Sequence, residues 1–260
     1  MTLSLNEIFT FIYNKEEIRA ASNVDLFGFE DNASGSFYTQ ADIDFVNAYF
    51  SRGFNVSAMN SVMRNFFDLS FNAFDIVLHA WLSDLPVERE TVAYGRSIAA
   101  AAASSDDKRR AAEKTAANRL DADALTVLNA SAKVQREVHR MMGLLRFNPG
   151  EKGGFTALCE CDHFILPCLI EYFTSRFGEI PWTIIDVKRN LRLCRRPGEK
   201  AKVEKSKGLS DAEDINASCG DAWEDLWKHY HKTINNEDRN NPNLQRQFMP
   251  QRYWKYLPEK

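Results

Sequence analysis

At Gly143 the spacing of apolar residues changes from three-and-four to two, which fixes where helices give way to a sheet. Upstream, LSLNEIFTFIYNKEEIRAA carries Leu5, Ile8, Phe9 and Ile12 on one helical stripe, and NVDLFGFEDNASGS reads as a loop. Between Asp42 and Leu85, Phe45, Tyr49, Phe66, Phe74, Leu78 and Trp81 recur mostly at helical spacings, which predicts stacked helices with core aromatics. The segment ERETVAYGRSIAAAAASSDDKRRAAEKTAANRL is rich in alanine and other helix formers, and Ser105 and Asp106 offer an N-cap within it. Its alanines fit either a surface or an interface. DADALTVLNASAKVQREVHRMMGLLRF begins on a capping Asp and predicts a long helix ending near Gly143.

Downstream the alternation predicts a β-hairpin across GLLRFNPGEKGGFTALCECDH, with Pro-Gly and Gly-Gly at its turn. ILPCLIEYFTSRFG returns to a helical stripe and closes on Gly178, and IPWTIIDVKRNLRLCRRPG predicts two more strands about a turn near Arg189 and Asn190. GEKAKVEKSKGLSDAEDINAS reads as a loop or linker, and DAWEDLWKHYHKTI as a helix with Trp223, Leu226, Trp227 and Tyr230 on one face. The expected fold class is therefore α+β. A helical N-terminal half, residues 1–130, precedes a small antiparallel sheet of ββαββ order with a covering helix and a C-terminal helical segment, residues 131–260.

Composition narrows the function classes. No run of eighteen apolar residues exists and the N-terminus has no cationic leader, so a cytoplasmic protein with no membrane partner is expected. Five cysteines, an odd number on 260 residues, point to reduced thiols. The net charge of -3 hides an asymmetry: residues 1–85 hold 11 acidic and 4 basic side chains, the remainder 25 and 29. An anion-binding face belongs in the second part.

Four segments carry a resemblance: REVHRMMGLLRF (136–147), CDHFILPCL (161–169), PWTIIDVKR (181–189) and NPNLQRQFMPQRYWKYLPE (241–259). In this order, with a Trp-rich helix before the last, they resemble the bacterial DUF4130 family, a domain of unknown function also described as a probable DNA metabolism protein. The resemblance covers roughly residues 130–260, the N-terminal half aligning more weakly. It implies a context of DNA repair, a radical-SAM protein as partner, and kinship with domains fused to uracil-DNA glycosylase-like proteins. Where the family pattern has His, this chain has Phe248 and Ile185, and where it has Lys this chain has Met142. Proton transfer by a pair of histidines is therefore not expected.

Among candidate sites, Cys159, Cys161, His163 and Cys168 have zinc-binding chemistry. Their C-x-C-x-H-x4-C spacing lacks the usual knuckle and puts 159, 161 and 163 on one strand face, so small core residues are the simpler reading and no metal is expected. Glu160 and Asp162 fall on the other face, with a solvated position or an ion pair to Arg192 as their simplest role. Asp162 either orients His163 as a base or, more in keeping with its position, caps a helix starting near Phe164. His139 and Asp186 are the other candidate acid-base groups, and no motif for a cofactor is present.

Cationic residues form the better supported constellation. Arg136, Arg140 and Arg146 flank the helix-to-strand junction, and Lys188, Arg189 and Arg192 lie on the second hairpin beside Arg195 and Arg196. The tail interleaves Arg239, Arg246, Arg252 and Lys255 with Phe248, Tyr253, Trp254 and Tyr256, a composition suited to phosphates and planar bases. Tyr253 and Trp254 are candidates for stacking on an unpaired base, while an opposed reading has the tail aromatics lock the C-terminus onto the core and Pro242, Pro250 and Pro258 set the turns. The expected function is a nucleic-acid-associated accessory protein of DNA metabolism or repair, binding DNA through hairpin and tail. An adaptor for a radical-SAM enzyme without DNA contact, or an enzyme acting on a nucleotide or base, are the alternatives.

Overall fold

The computed structural model describes residues 3–14, 38–149, 153–206, 222–234 and 241–257. The loop read at 23–36, most of the linker read at 198–218, the Gly150 turn position, Arg239, Cys219 and Pro258 lie outside the described residues. Contacts divide the chain into two units: Met1–Arg136 with Asp162–Ile165, and Glu137–Cys161 with Leu166–Lys260.

Helices build the first unit: α1 (Leu5–Tyr13), α2 (Gln40–Tyr49), α3 (Ser61–Leu69), α4 (Phe71–Trp81), α5 (Glu88–Ala103), α6 (Lys108–Ala116) and α7 (Ala122–Leu144) through Arg136. Their ends are set by local chemistry. Ser4 with Glu7 closes a capping box on α1, Thr39 with Asp42 another on α2, and Ser70 both ends α3 and caps α4. The cap of α6 is Asp107, whose carboxylate accepts from the Arg110 amide at 3.1 Å, rather than Ser105 or Asp106. Asp121 opens α7 as expected, accepting from the Ala124 amide at 2.9 Å.

Phe9, Phe66 and Phe74 are fully buried, with Phe9 stacked on Phe74 at 4.9 Å and edge-on to Phe66 at 5.5 Å. The aromatics here are core, apart from Phe71, which is 58% exposed, and Phe45, Tyr49, Phe50, Phe54 and Phe67, which are half-buried. The alanine-rich stretch uses its small side chains for close approach. Ala112 and Ala116 of α6 are fully buried, and the Tyr94 hydroxyl of α5 donates to the Ala116 carbonyl at 3.1 Å.

The second unit holds a five-stranded sheet ordered β1 (Asn148–Pro149), β2 (Phe155–Cys159), β3 (Trp182–Asp186), β4 (Leu191–Arg195) and β5 (Lys202–Lys205). The α+β class holds, but the sheet is mixed: β2 and β3 pair in parallel, the other neighbours antiparallel. The reason is the connection. A 3-10 turn (Leu166–Leu169) and α8 (Ile170–Phe177) join β2 to β3, and a helical crossover returns the chain to the end of the sheet at which β2 begins. β5 is a correction as well, since Lys202–Lys205 pairs with β4 where the charged sequence reads as loop.

The helix covers the face carrying Phe155 and Trp182, register partners, through Phe173 and Phe177. Gly178 ends α8 at φ 57, as its position predicts. Gly154 is needed for a different reason: at φ 103 a Cβ there would lie 2.6 Å from the Pro181 carbonyl oxygen, which accepts from the Phe155 amide at 3.0 Å. Beyond the sheet come α9 (Ala222–Ile234), α10 (Pro242–Phe248) and a 3-10 turn (Gln251–Tyr256). Pro242 starts α10 beside the Asn241 cap, and Pro250 precedes the last turn.

Candidate functional site

Parallel pairing brings the C-terminal ends of β2 and β3 to one edge, where Cys159 and Asp186 are register partners with side chains on the same face. Asp186 is fully buried. Arg189, three residues on, is 4% exposed, and its Nη1 donates to Asp186 Oδ2 at 2.7 Å and to the Cys161 carbonyl at 2.9 Å. The Lys188 amide donates to Asp186 Oδ1 at 3.1 Å, so the carboxylate also shapes the β3–β4 turn. Burial pushes the Asp186 carboxyl above its ordinary value, against the opposing pull of Arg189.

Cys159 and Cys161 lie fully buried beside this pair. The Cys161 thiol is pushed well up by its hydrogen bond with Cys159 and by burial. The same bond pulls Cys159 down, but burial and the carboxylates of Asp186 and Glu137 outweigh it and leave that thiol raised too. Both are therefore protonated small core residues rather than nucleophiles, and no metal-binding group of His, Cys, Asp or Glu occurs among the described residues.

The C-terminal tail is fastened to the same unit at two carboxylates. The buried Tyr253 hydroxyl donates to Glu137 Oε1 of α7 at 2.6 Å, and Glu137 is itself only 2% exposed. The Tyr256 hydroxyl donates to Glu160 Oε1 at 2.8 Å, and Lys255 Nζ pairs with the same oxygen. In a 3-10 turn side chains three apart eclipse, so Tyr253 and Tyr256 share the inner face and Arg252 and Lys255 line up on an exposed one. The Arg252 guanidinium lies 4.7 Å over the Tyr253 ring and donates through Nη2 to its hydroxyl at 3.2 Å. Burial first, then the Glu160 contact, push the Tyr256 phenol above its ordinary value.

The residues singled out in the sequence thus fall into distinct classes. Arg189, read as a phosphate-binding residue at a hairpin tip, is buried against Asp186, because the short turn folds its side chain back under the strands. Arg192 pairs with Glu204 on β5 at 2.7 Å, and Arg196 shares that carboxylate. Arg195 pairs with Glu179 at 2.7 Å. Tyr253 is a buried anchor and offers no face for stacking on a base, while Trp254 is half-buried with its indole N–H donating to the Met249 carbonyl at 2.8 Å. Lys188, Arg246, Arg252 and Lys255 are exposed. On α7, Arg136 and His139 are exposed and Arg140 is half-buried, with Arg136 Nε donating to the Ala132 carbonyl at 3.1 Å. Arg146 donates to the Gly143 carbonyl at 2.8 Å.

In the first unit His163 is buried and its Nδ1 accepts from the Asp84 amide at 3.3 Å, a structural tie. Asp162 is half-buried and does not cap α8, which starts at Ile170 with Leu169 before it and no side-chain cap. Sequence reading missed Glu137 altogether. Its signal was position: Val134, Glu137 and Met141 share the buried stripe of α7, a place where a carboxylate demands a partner.

Glu137, Glu160 with Cys161, Asp186 with Arg189, and Tyr253 with Tyr256 come from four separated stretches of sequence that meet in the second unit. The model of the DUF4130 family, a domain of unknown function, matches residues 98–259. The chain belongs to the DUF4130 family. The match begins upstream of the resemblance read at 130, taking in the end of α5 and all of α6, and it ends beyond the tail's 3-10 turn. No curated protein and no solved structure matches the chain. In this DUF4130 protein no helix among the described residues is long and apolar enough to cross a membrane.

Proposed function

We propose that this DUF4130 protein is a nucleic-acid-associated accessory protein of DNA metabolism that contacts the anionic backbone through its C-terminal tail rather than through the β3–β4 hairpin. One contrast carries the reading. The hairpin arginines are engaged with carboxylates of their own unit, and so is Lys255 of the tail with Glu160, whereas the tail presents Arg246 and Arg252 exposed, among the amides Gln247 and Gln251 and the 62% exposed Phe248. Cations and amides on an exposed segment suit phosphate oxygens, and an exposed ring suits a base. The buried polar cluster, its groups bonded to one another, serves as the anchorage that holds the tail.

Fluorescence anisotropy of labelled single- and double-stranded DNA across several salt concentrations tests this. Binding should weaken as salt rises, by a log–log slope of about 0.7 to 0.9 per phosphate contact, and an Arg246→Ala/Arg252→Ala variant should lose affinity while Arg192→Ala keeps it. A folded protein with no binding at low salt would rule the reading out.

A second reading, an adaptor for a radical-SAM enzyme without DNA contact, draws on α9. Leu226, Tyr230 and Ile234, four residues apart in turn, are 57%, 51% and 58% exposed, an apolar stripe of the kind a protein groove takes up. Co-purification with that enzyme, lost on Tyr230→Ser, would favour it.

A further inference from the structure

The Tyr253 hydroxyl makes two bonds of opposite sense. It donates to the buried Glu137 carboxylate at 2.6 Å and accepts from Arg252 Nη2 at 3.2 Å. The phenol thus stands between an anion on α7 and a cation on the tail, residues 115 positions apart in sequence. A hydroxyl that gives its proton to a carboxylate becomes a better acceptor, so the first bond strengthens the second. The Arg252 guanidinium is further held over the Tyr253 ring at 4.7 Å, while Lys255, one turn on, is paired with Glu160.

We propose that Glu137 is a positioning residue for the tail's cationic edge, acting through Tyr253 to hold Arg252 as a contact for a phosphate oxygen of the nucleic-acid backbone. The binding half of this proposal rests on the nucleic-acid reading above, and the positioning half does not. Glu137 touches no ligand. Its buried carboxylate fixes the ring that Arg252 lies on, so an arginine on an exposed turn loses less freedom when it meets an anion. Glu160 secures the other end of the turn through Tyr256.

The full chain with Glu137→Ala, Glu137→Gln, Tyr253→Phe, Arg252→Ala and the double variant Glu137→Ala/Arg252→Ala distinguishes the two halves. Amide exchange at Tyr253 and Leu257, whose N–H groups bond the Pro250 and Trp254 carbonyls, reports the turn directly. Exchange should speed up roughly tenfold in Glu137→Ala and Tyr253→Phe and return towards wild type in Glu137→Gln, whose amide oxygen still accepts. Anisotropy should show Glu137→Ala and Arg252→Ala each weakening DNA binding by roughly threefold to tenfold, with the double variant no worse than the single ones. Unchanged exchange in both Glu137→Ala and Tyr253→Phe overturns the positioning role, and additive losses in the double variant overturn its action through Arg252. If exchange responds but wild type binds no DNA at low salt, the nucleic-acid reading and the phosphate contact fall while the positioning role stands. Should Glu137→Ala fail to fold, the Tyr253→Phe and Glu137→Gln pair carries the same comparison.

Discussion

Arg189 Nη1 lies 2.7 Å from Asp186 Oδ2, with the carboxylate fully buried and the guanidinium nearly so. A pair this deep is costly to break from one side. Arg189→Ala leaves an unpaired buried carboxylate and should destabilise the protein by about 3 to 5 kcal/mol, read as a lower urea midpoint. Asp186→Asn/Arg189→Met, which removes both charges, should recover a large part of that loss. A single variant with an unchanged midpoint would contradict the structural role.

Glu160 sets a pH window for the tail. Its carboxyl is held below its ordinary value of 4.5, first by the Lys255 hydrogen bond and then by Tyr256, with burial opposing. A lowered folded pKa means the anion is favoured in the folded state, so its contribution is present above that ordinary value and is lost as pH falls through the folded value. The Trp254 indole N–H resonance should therefore shift on acidification below pH 4.5, and much less in Glu160→Gln. Identical titrations for the two proteins would show that Glu160 does not hold the turn.

Cys159 and Cys161 should resist thiol reagents in the folded protein. Both are buried with raised pKa values, so labelling should follow global unfolding, whereas the half-buried Cys168 should label sooner. Peptide mapping after timed alkylation gives the order, and early modification of Cys161 would mean that the cluster opens locally.

Gly154→Ala should cost about 2 kcal/mol or more. A methyl there meets the Pro181 carbonyl at 2.6 Å, and φ 103 is outside the range L side chains adopt readily. The loss should appear as a lower thermal midpoint with the helical circular dichroism unchanged below the transition. A midpoint equal to that of wild type would show that the β1–β2 connection can relax.

The sequence by itself determined the helical and sheet-bearing regions, the α7 cap at Asp121, the helix stop at Gly178 and the family, because each rests on residues within a few positions of one another or on motif order. Tertiary structure decided the rest. Whether β2 pairs with β3 in parallel depends on where the crossover lays the chain, and β5 forms from a charged stretch because β4 offers it an edge. A cation's role depends on its partner: Arg189 and Arg192 look alike in the sequence as exposed hairpin charges, yet one is buried with Asp186 and the other is bound to Glu204. The Tyr253 and Glu137 bond joins residues 116 positions apart, and no local period carries that information. A buried charge is decided by what the fold brings beside it.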